Sequence, residues 1–440
     1  MQSIPSTFDA HLAGSESGGR FYHRLTILLL AIIAVATMIA VIVPAGIGWD
    51  FANFYDTGRR AAAWQIADLY NAGSLIDGQQ PQGKLAFWGA PISALFYVPL
   101  SWFSAESALM VFKIQNALAL FAALWMLYRH CRQFVESSNV AQWRFAALFA
   151  GLVLIYQPFW SIYRVGGQTT PTVFLLFTIA LLSHTKKQFR ASATCVALAL
   201  LIKPGFVFVV LPLALIGGRK FLQELAFILT LIGLGSLMLF GWDVHLQFLQ
   251  TMLQGMKNSY EWLYNSSLYV PAENLKLLAK PPVDARWVGI PVALLKLTML
   301  ALFGWLYWQS RKLDWPTAAR RHFDFLMAVT FCLMVSQTVW EHYLAVLFLL
   351  LAYLTAVHRQ LSLSAQVLLA TIFLMSLGQN IVLTNALGAR FGFSSVPALL
   401  IVGLLKSSPL WLTLLILVRH RQEVFQTFFA PQWQQVLVRR

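Results

Sequence analysis

Long apolar runs separated by short polar clusters recur along almost the whole chain. The first run extends from Leu25 to Ala45 and the last ends near Val418. A helix that crosses a bilayer needs about 20 mainly apolar residues, and many of these runs reach that length. The longest polar stretches are too short to build a soluble domain with its own core. The pattern predicts a single all-α integral membrane domain over residues 1–440.

Basic clusters between the runs determine the predicted topology. They lie at Arg20/Arg24, Arg129/Arg132/Arg144, Lys186/Lys187/Arg190, Arg219/Lys220, Arg311/Lys312/Arg320/Arg321, Arg359, Arg419/Arg421 and Arg439/Arg440. Because cytoplasmic loops collect Lys and Arg, we place all of these clusters inside. An even number of passes then separates neighbouring clusters. The apolar stretches 191–217 and 323–356 must therefore turn in the middle, at Lys203-Pro204-Gly205 and at Trp340-Glu341-His342.

This rule gives about twelve passes, with both tails (1–24 and 419–440) in the cytoplasm and long outer loops at 46–106 and 242–286. Besides the two stretches that turn, the predicted passes are Leu25–Ala45, Ser107–Tyr128, Trp143–Ile162, Thr169–Ser183, Phe221–Phe240, Trp287–Tyr307, Leu361–Leu383 and Val396–Val418. One further apolar segment, Phe87–Phe103, would make the number of passes between its neighbouring basic clusters odd if it crossed the membrane. Its aromatic residues are typical of the headgroup region, so we expect an interfacial or partly re-entrant helix there.

Composition supports a membrane protein and excludes several classes. Hydrophobic residues make up 58% of the chain and charged residues 11%, against about 25% charged in soluble domains. The net charge of +15 would indicate nucleic acid in a soluble protein. Here the basic residues concentrate in the inner loops, and we expect no nucleic-acid partner.

Several metal and nucleotide motifs are absent from the sequence. The three cysteines, Cys131, Cys195 and Cys332, have no metal-ligand spacing. The chain has no Asp-x-Asp pair, no Gly-x-x-x-x-Gly-Lys-[Ser/Thr] phosphate loop and no His-Glu-x-x-His helix. We therefore expect no bound metal, no cofactor and no nucleotide-driven reaction on the inner side.

Polar groups near membrane depth are the candidate functional residues, because placing them there is costly. Asp50 directly follows the first run, among aromatic residues. It fits a general base whose pKa is tuned by partial burial, and it fits a helix N-cap equally well. Arg164 and Lys203 could each bind a phosphate. The alternatives are an arginine that snorkels to headgroups and a lysine that anchors a loop.

Three further candidates lie in the outer loops and at the second break. Glu341 and His342 interrupt an apolar stretch, which indicates proton handling or substrate hydroxyl binding, or a structural hydrogen-bonded pair. Asn265, in the Asn265-Ser266-Ser267 segment, fits a sugar site or an ordinary interfacial loop. Lys296 and Lys406 fall inside predicted helices, and the sequence assigns them no role.

Six short motifs follow one another along most of the chain: Trp49-Asp50-Phe51 with Tyr55, Leu69-Tyr70, Pro91 to Tyr97 with Pro99, Gly167-Gln168, Lys203-Pro204 and Trp340-Glu341-His342. In this order they resemble the polytopic glycosyltransferases of the GT-C class, specifically glycosyltransferase family 87, which includes polyprenol-phosphate-mannose-dependent mannosyltransferases. The chain departs from the pattern at Ser336-Gln337, where Ser-Pro is common, and this leaves the substrate open.

The resemblance implies a GT-C fold and an inverting, mannose-like sugar transfer from a polyprenyl-phosphate donor to a hydroxyl on a glycan or glycolipid. The reaction would occur at the outer face of a bacterial inner membrane. Asp50 would be the catalytic base. Arg164 and Lys203 would bind the donor phosphate. The expected substrate contacts are Tyr55, Gln168, Asn265, Glu341 and His342. The alternatives are a lipid-linked saccharide transporter or flippase, and a non-catalytic subunit that binds a polyprenyl lipid.

Overall fold

The computed structural model describes residues 16–43, 48–70, 87–164, 167–257, 265–274, 286–377, 396–430 and 433. These residues are mostly helical and form no strand. We number the α-helices α1 Glu16–Ile42, α2 Trp49–Ala62, α3 Ala105–Cys131, α4 Asn139–Ile155, α5 Gln157–Arg164, α6 Thr170–Thr185, α7 Phe189–Ile202, α8 Val210–Ile216, α9 Arg219–Lys257, α10 Val270–Asn274, α11 Arg286–Arg311, α12 Thr317–Val335, α13 Phe348–Ala356, α14 Leu363–Leu377, α15 Val396–Arg419 and α16 Arg421–Thr427. Short 3₁₀ helices lie at Ile66–Asp68, Pro91–Trp102, Arg132–Phe134, Pro204–Val209, Glu341–Leu347 and His358–Gln360.

Long apolar helices confirm a multi-pass membrane protein. Within the described ranges, five helices are long and apolar enough to cross a bilayer, in α1, α3, α9, α11 and α15. A sixth span results if α4 and α5, bent by 48° at Tyr156, count as one. Further apolar helices of 10–17 residues, such as α6 and α7, are shorter than a typical span. The count of twelve passes therefore stays a prediction.

The structure has a helix break at the first predicted turn and another directly before Glu341, in the second predicted turn. Helix α7 ends at Ile202, and Pro204, which has no backbone N–H to continue the helix, opens the next 3₁₀ helix. Helix α12 ends at Val335, and helical structure resumes only at Glu341. In α9 the backbone leaves helical geometry at Gly241, whose φ is +75°, one residue after the predicted end of the pass.

The apolar segment around residues 91–102 forms a 3₁₀ helix that packs against α2. The two elements approach so closely at Gly58 that a Cβ there would lie 2.2 Å from the carbonyl oxygen of Tyr97. The aromatic rings of Phe54 and Tyr97 stack across the contact, with centroids 4.9 Å apart. The interfacial or re-entrant placement of this 3₁₀ helix stays a prediction. Its contact with α2 holds α2 in place within the protein.

The main core surrounds the second break. Almost every side chain of α12 and α13 is buried, so the connection between them, residues 336–347, runs through the protein interior.

A buried lysine in α3 binds the carbonyl groups at the C-terminal end of α1. The Nζ of Lys113 donates to the carbonyl oxygens of Ala40 at 3.3 Å and Val43 at 3.2 Å, which lack helical partners at a C-terminus.

Candidate active site

Asp50 lies in the first turn of α2, where the positive end of the helix dipole favours a carboxylate. The residue at the N-cap position is Gly48, so the helix-cap alternative for Asp50 is wrong. The side chain is partly exposed. Its neighbour Phe51 is fully buried and contacts Phe112 of α3, with ring centroids 5.6 Å apart. This packing holds the start of α2 in place.

Gln168 joins Asp50 to the first helix break. Its Nε2 donates a hydrogen bond to Oδ2 of Asp50, and its Oε1 accepts one from Nζ of Lys203 at 3.0 Å. A carboxylate can only accept and an ammonium can only donate, so these partners fix the orientation of the amide. The preceding Gly167 has a φ of +96°, and a Cβ there would lie 3.0 Å from Phe112. Glycine is therefore required for the backbone to present Gln168.

Lys203 lies at the break between α7 and the following 3₁₀ helix, where it brings the second break into the site. Its Nζ lies 3.3 Å from Nε2 of His342 and 4.4 Å from the ring centroid of Tyr343. Because an ammonium only donates, Nε2 of His342 accepts, and the imidazole is neutral with its proton on Nδ1. The aromatic face adds a cation–π contact. Lys203 is 8% exposed.

These contacts form one hydrogen-bonded chain, which we call the Asp50–His342 chain: Asp50, Gln168, Lys203 and His342. Asp50 lies outside the membrane-spanning helices. Burial raises the pKa of its carboxyl group, while the charge of Lys203 and the hydrogen bond from Gln168 act in the opposite direction. A base with a raised pKa binds a proton more readily and remains accessible here, which are the properties that general-base catalysis needs.

Glu341, the residue before His342, pairs with Lys406, to which the sequence assigned no role. Its Oε2 lies 3.1 Å from Nζ of Lys406 in α15. Both side chains are almost completely buried, with 3% and 0% exposed. The sequence signal for this contact was the presence of one acid and one lysine in apolar helices, but nothing in it specified the pairing. Lys296, also unassigned, donates to Oε1 of Gln337 at 3.0 Å.

The remaining predicted site residues are Tyr55, Asn265 and Arg164. Tyr55, one turn beyond Asp50, donates its hydroxyl to the carbonyl of Phe103 at 2.8 Å. Asn265 supports the segment before Glu341: its Nδ2 donates to the carbonyl of Gln337 at 3.1 Å, and its Oδ1 accepts from the backbone N–H of Val339 at 2.9 Å. The side chain of Arg164 lies outside the described residues; its backbone ends α5.

The structure thus brings together Asp50, Gln168, Lys203 and His342 from four separate parts of the chain. Within the described segments, no group of three His, Cys, Asp or Glu side chains could hold a metal ion. The polar atoms in direct contact belong to a carboxylate, an amide, an ammonium and an imidazole. This set can accept one proton and bind one anion, and the predicted independence from metals stays a prediction.

Comparison with known proteins identifies the family. No curated protein matches the chain. The sequence model of glycosyltransferase family 87 matches residues 87–337, more than half of the chain. The matched region contains Gln168 and Lys203, whereas Asp50 and His342 lie on either side of it. The chain therefore belongs to glycosyltransferase family 87.

Proposed function

We propose that the protein transfers a mannose-like sugar from a polyprenyl-phosphate donor to a hydroxyl acceptor, with inversion and with Asp50 as the base. The family supports a glycosyltransferase with a sugar donor and an acceptor. The observation that carries the finer proposal is the Asp50–His342 chain, which sets an accessible carboxylate one amide away from a buried ammonium. A transfer from a phosphate leaving group uses a base for the acceptor hydroxyl and a cation for the phosphate.

The reaction proceeds in one displacement. Asp50 accepts the proton of the acceptor hydroxyl as its oxygen attacks the anomeric carbon. The bond between that carbon and the phosphate oxygen breaks, and its electron pair leaves on the polyprenyl phosphate. The phosphate thereby gains one negative charge, which Lys203 stabilises as a fixed cation in a water-poor site. Arg164 is a second candidate for this phosphate, and the reaction uses neither a metal nor a cofactor.

The other candidates position the substrates. Nε2 of His342 lies 3.3 Å from Nζ of Lys203, and we therefore assign His342 a donor contact beside the phosphate. Gln168 orients both charged groups. Tyr55 and Glu341 are candidates for contacts with the sugar, and Asn265 holds the segment that leads to Glu341. The acceptor is a glycan or a glycolipid.

Replacing Asp50 tests the reaction. In Asp50→Asn the amide keeps the size of the side chain but cannot accept the proton. We expect sugar transfer from a polyprenyl-phosphate sugar to fall by about 10²–10⁴-fold, with the thermal midpoint and donor binding retained. Undiminished transfer by this variant would show that Asp50 is not the base. Movement of a lipid-linked saccharide across liposomes without transfer would instead support a flippase, and donor binding with neither activity a non-catalytic subunit.

The orientation has its own test. The site would face the outside of a bacterial inner membrane, and the basic loops the cytoplasm. Trp64, at the end of α2, and Lys187, in the loop after α6, are both exposed. A cysteine at position 64 should react with an impermeant thiol reagent added to intact cells, and one at position 187 only after permeabilisation. The reverse pattern would place the site in the cytoplasm.

A further inference from the structure

Lys406, which forms a buried ion pair with Glu341, has no part in the reaction above. The Nζ–Oε2 distance of the pair is 3.1 Å, and neither side chain is exposed by more than 3%. Removing two charges from water is costly, and such pairs seldom repay the cost in stability alone. Ionisable residues inside membrane proteins are usually functional for that reason.

The position of Glu341 in the chain suggests what the pair does. Glu341 opens the 3₁₀ helix Glu341–Leu347, and His342 follows it directly. A shift of the first residue of this short helix therefore moves the imidazole that meets Lys203 at 3.3 Å. On the preceding side, the segment is already held by Asn265 through the backbone of Gln337 and Val339.

Lys406 supplies the anchor on the other side. It lies near the middle of α15, a helix that follows the whole site in sequence and lies outside the family-matched residues. An apolar side chain at position 406 would leave the carboxylate of Glu341 buried beside it without this cation. That carboxylate would then turn elsewhere or bind a proton, and either change relaxes the start of the 3₁₀ helix.

We propose that Lys406 is a positioning residue, which acts through Glu341 to hold His342 against Lys203. The inference rests on the proposed function for its effect on catalysis, but not for its effect on geometry. Lys406 touches neither substrate in this scheme. It makes α15 a structural part of the active site, in contact with the element that carries His342.

A cross-linking experiment tests the geometry without reference to activity. The three native cysteines are replaced, and the pair Lys203→Cys/His342→Cys is joined with a short thiol-reactive cross-linker. We expect Lys406→Met to lower the cross-linking yield several-fold, and Lys406→Arg to restore it. Ser407→Ala is the matched control, because Ser407 is equally buried and bonds only within its own helix in the part of the chain described, at 2.8 Å to the Gly403 carbonyl.

The outcomes separate this proposal from the proposed function. An unchanged yield in Lys406→Met overturns the positioning role whether or not the protein transfers sugar. If Lys406→Met does not fold, the double variant Lys406→Met/Glu341→Gln leaves no charge at either position, and the same loss of yield is expected. Cross-linking of the Lys203→Cys/His342→Cys protein in the expected pattern, together with no sugar transfer by the wild-type protein, would refute the proposed function and leave the positioning role intact.

Activity then supplies a second, independent readout. We expect Lys406→Met to lower kcat by about 10²-fold, the cost of a misplaced catalytic group. If Lys406 acts through His342, the same change in a His342→Ala background should lower kcat by no more than about twofold further. Full, independent losses in both backgrounds would contradict the proposal.

Discussion

Lys203 offers the sharpest quantitative test of the proposed reaction. Two of its three N–H bonds meet Gln168 at 3.0 Å and His342 at 3.3 Å. When an oxygen of the donor phosphate contacts the ammonium, the centre of the phosphate charge lies about 4 Å from the nitrogen. One unit charge at that distance and an effective dielectric constant of about 20 is worth roughly 4 kcal/mol. The donor phosphodiester already carries one charge, and the leaving phosphate gains a second. Lys203 therefore stabilises the transition state more than the bound donor.

Lys203→Met keeps most of the side-chain length and removes the charge. If about half of the new charge has developed at the transition state, the loss is about 2 kcal/mol, and full development gives about 4 kcal/mol, so we expect kcat to fall by about 30- to 1,000-fold. The assay is transfer of labelled sugar from a polyprenyl-phosphate sugar in nanodiscs, with donor concentration varied to separate kcat from KM. Lys296→Met is the matched control, since Lys296 also donates to a glutamine, Gln337, at 3.0 Å, but neither residue belongs to the Asp50–His342 chain. An effect confined to KM, or an equal loss in the control, would refute the reasoning.

Three other outcomes follow from the geometry. Because burial raises the pKa of Asp50 above 3.8 and the Gln168 hydrogen bond lowers it, kcat/KM should fall as the pH drops through a value above 3.8, and Gln168→Met should move that acid limb to higher pH; a limb that does not move would contradict the assigned hydrogen bond. Gly58→Ala should lower stability by about 1–3 kcal/mol, seen as a lower thermal midpoint, because its Cβ would meet the Tyr97 carbonyl at 2.2 Å. Asn265→Ala removes side-chain hydrogen bonds to the backbone of Gln337 and Val339, at 3.1 and 2.9 Å. It should lower the free energy of unfolding by about 1–3 kcal/mol, seen in the same assay. An unchanged thermal midpoint would show that residues 337–339 keep their stability without these bonds.

Sequence reasoning located the two helix breaks because their cause is local. Pro204 lacks the N–H that a helix needs, and charged residues interrupt an apolar stretch at Glu341 and His342. The same reasoning placed Asp50 just after the first apolar run. These signals depend on residue type and neighbouring residues. The structure confirms the first break, whereas the second helix already ends at Val335, ahead of the predicted turn at Trp340-Glu341-His342.

Sequence reasoning did not pair these positions, because the partners lie far apart in the chain. Gln168 and Asp50 are 118 residues apart, and Lys203 and His342 are 139 apart. The contact between Glu341 and Lys406 depends on how α15 packs against the core, and no local pattern encodes it. The helix-cap interpretation of Asp50 failed for a local reason: Gly48 already occupies the cap position, two residues earlier.

Gln168 has one more consequence for the chemistry. Were Asp50 and Lys203 in direct contact, they would neutralise each other as a salt bridge, and the carboxylate would be a weak base. The side-chain amide of Gln168 is uncharged and does not titrate. It separates the two charged groups and is hydrogen-bonded to both of them. The carboxylate and the ammonium thus lie close together without forming a direct ion pair. The carboxylate stays available for the acceptor hydroxyl, and the ammonium for the donor phosphate.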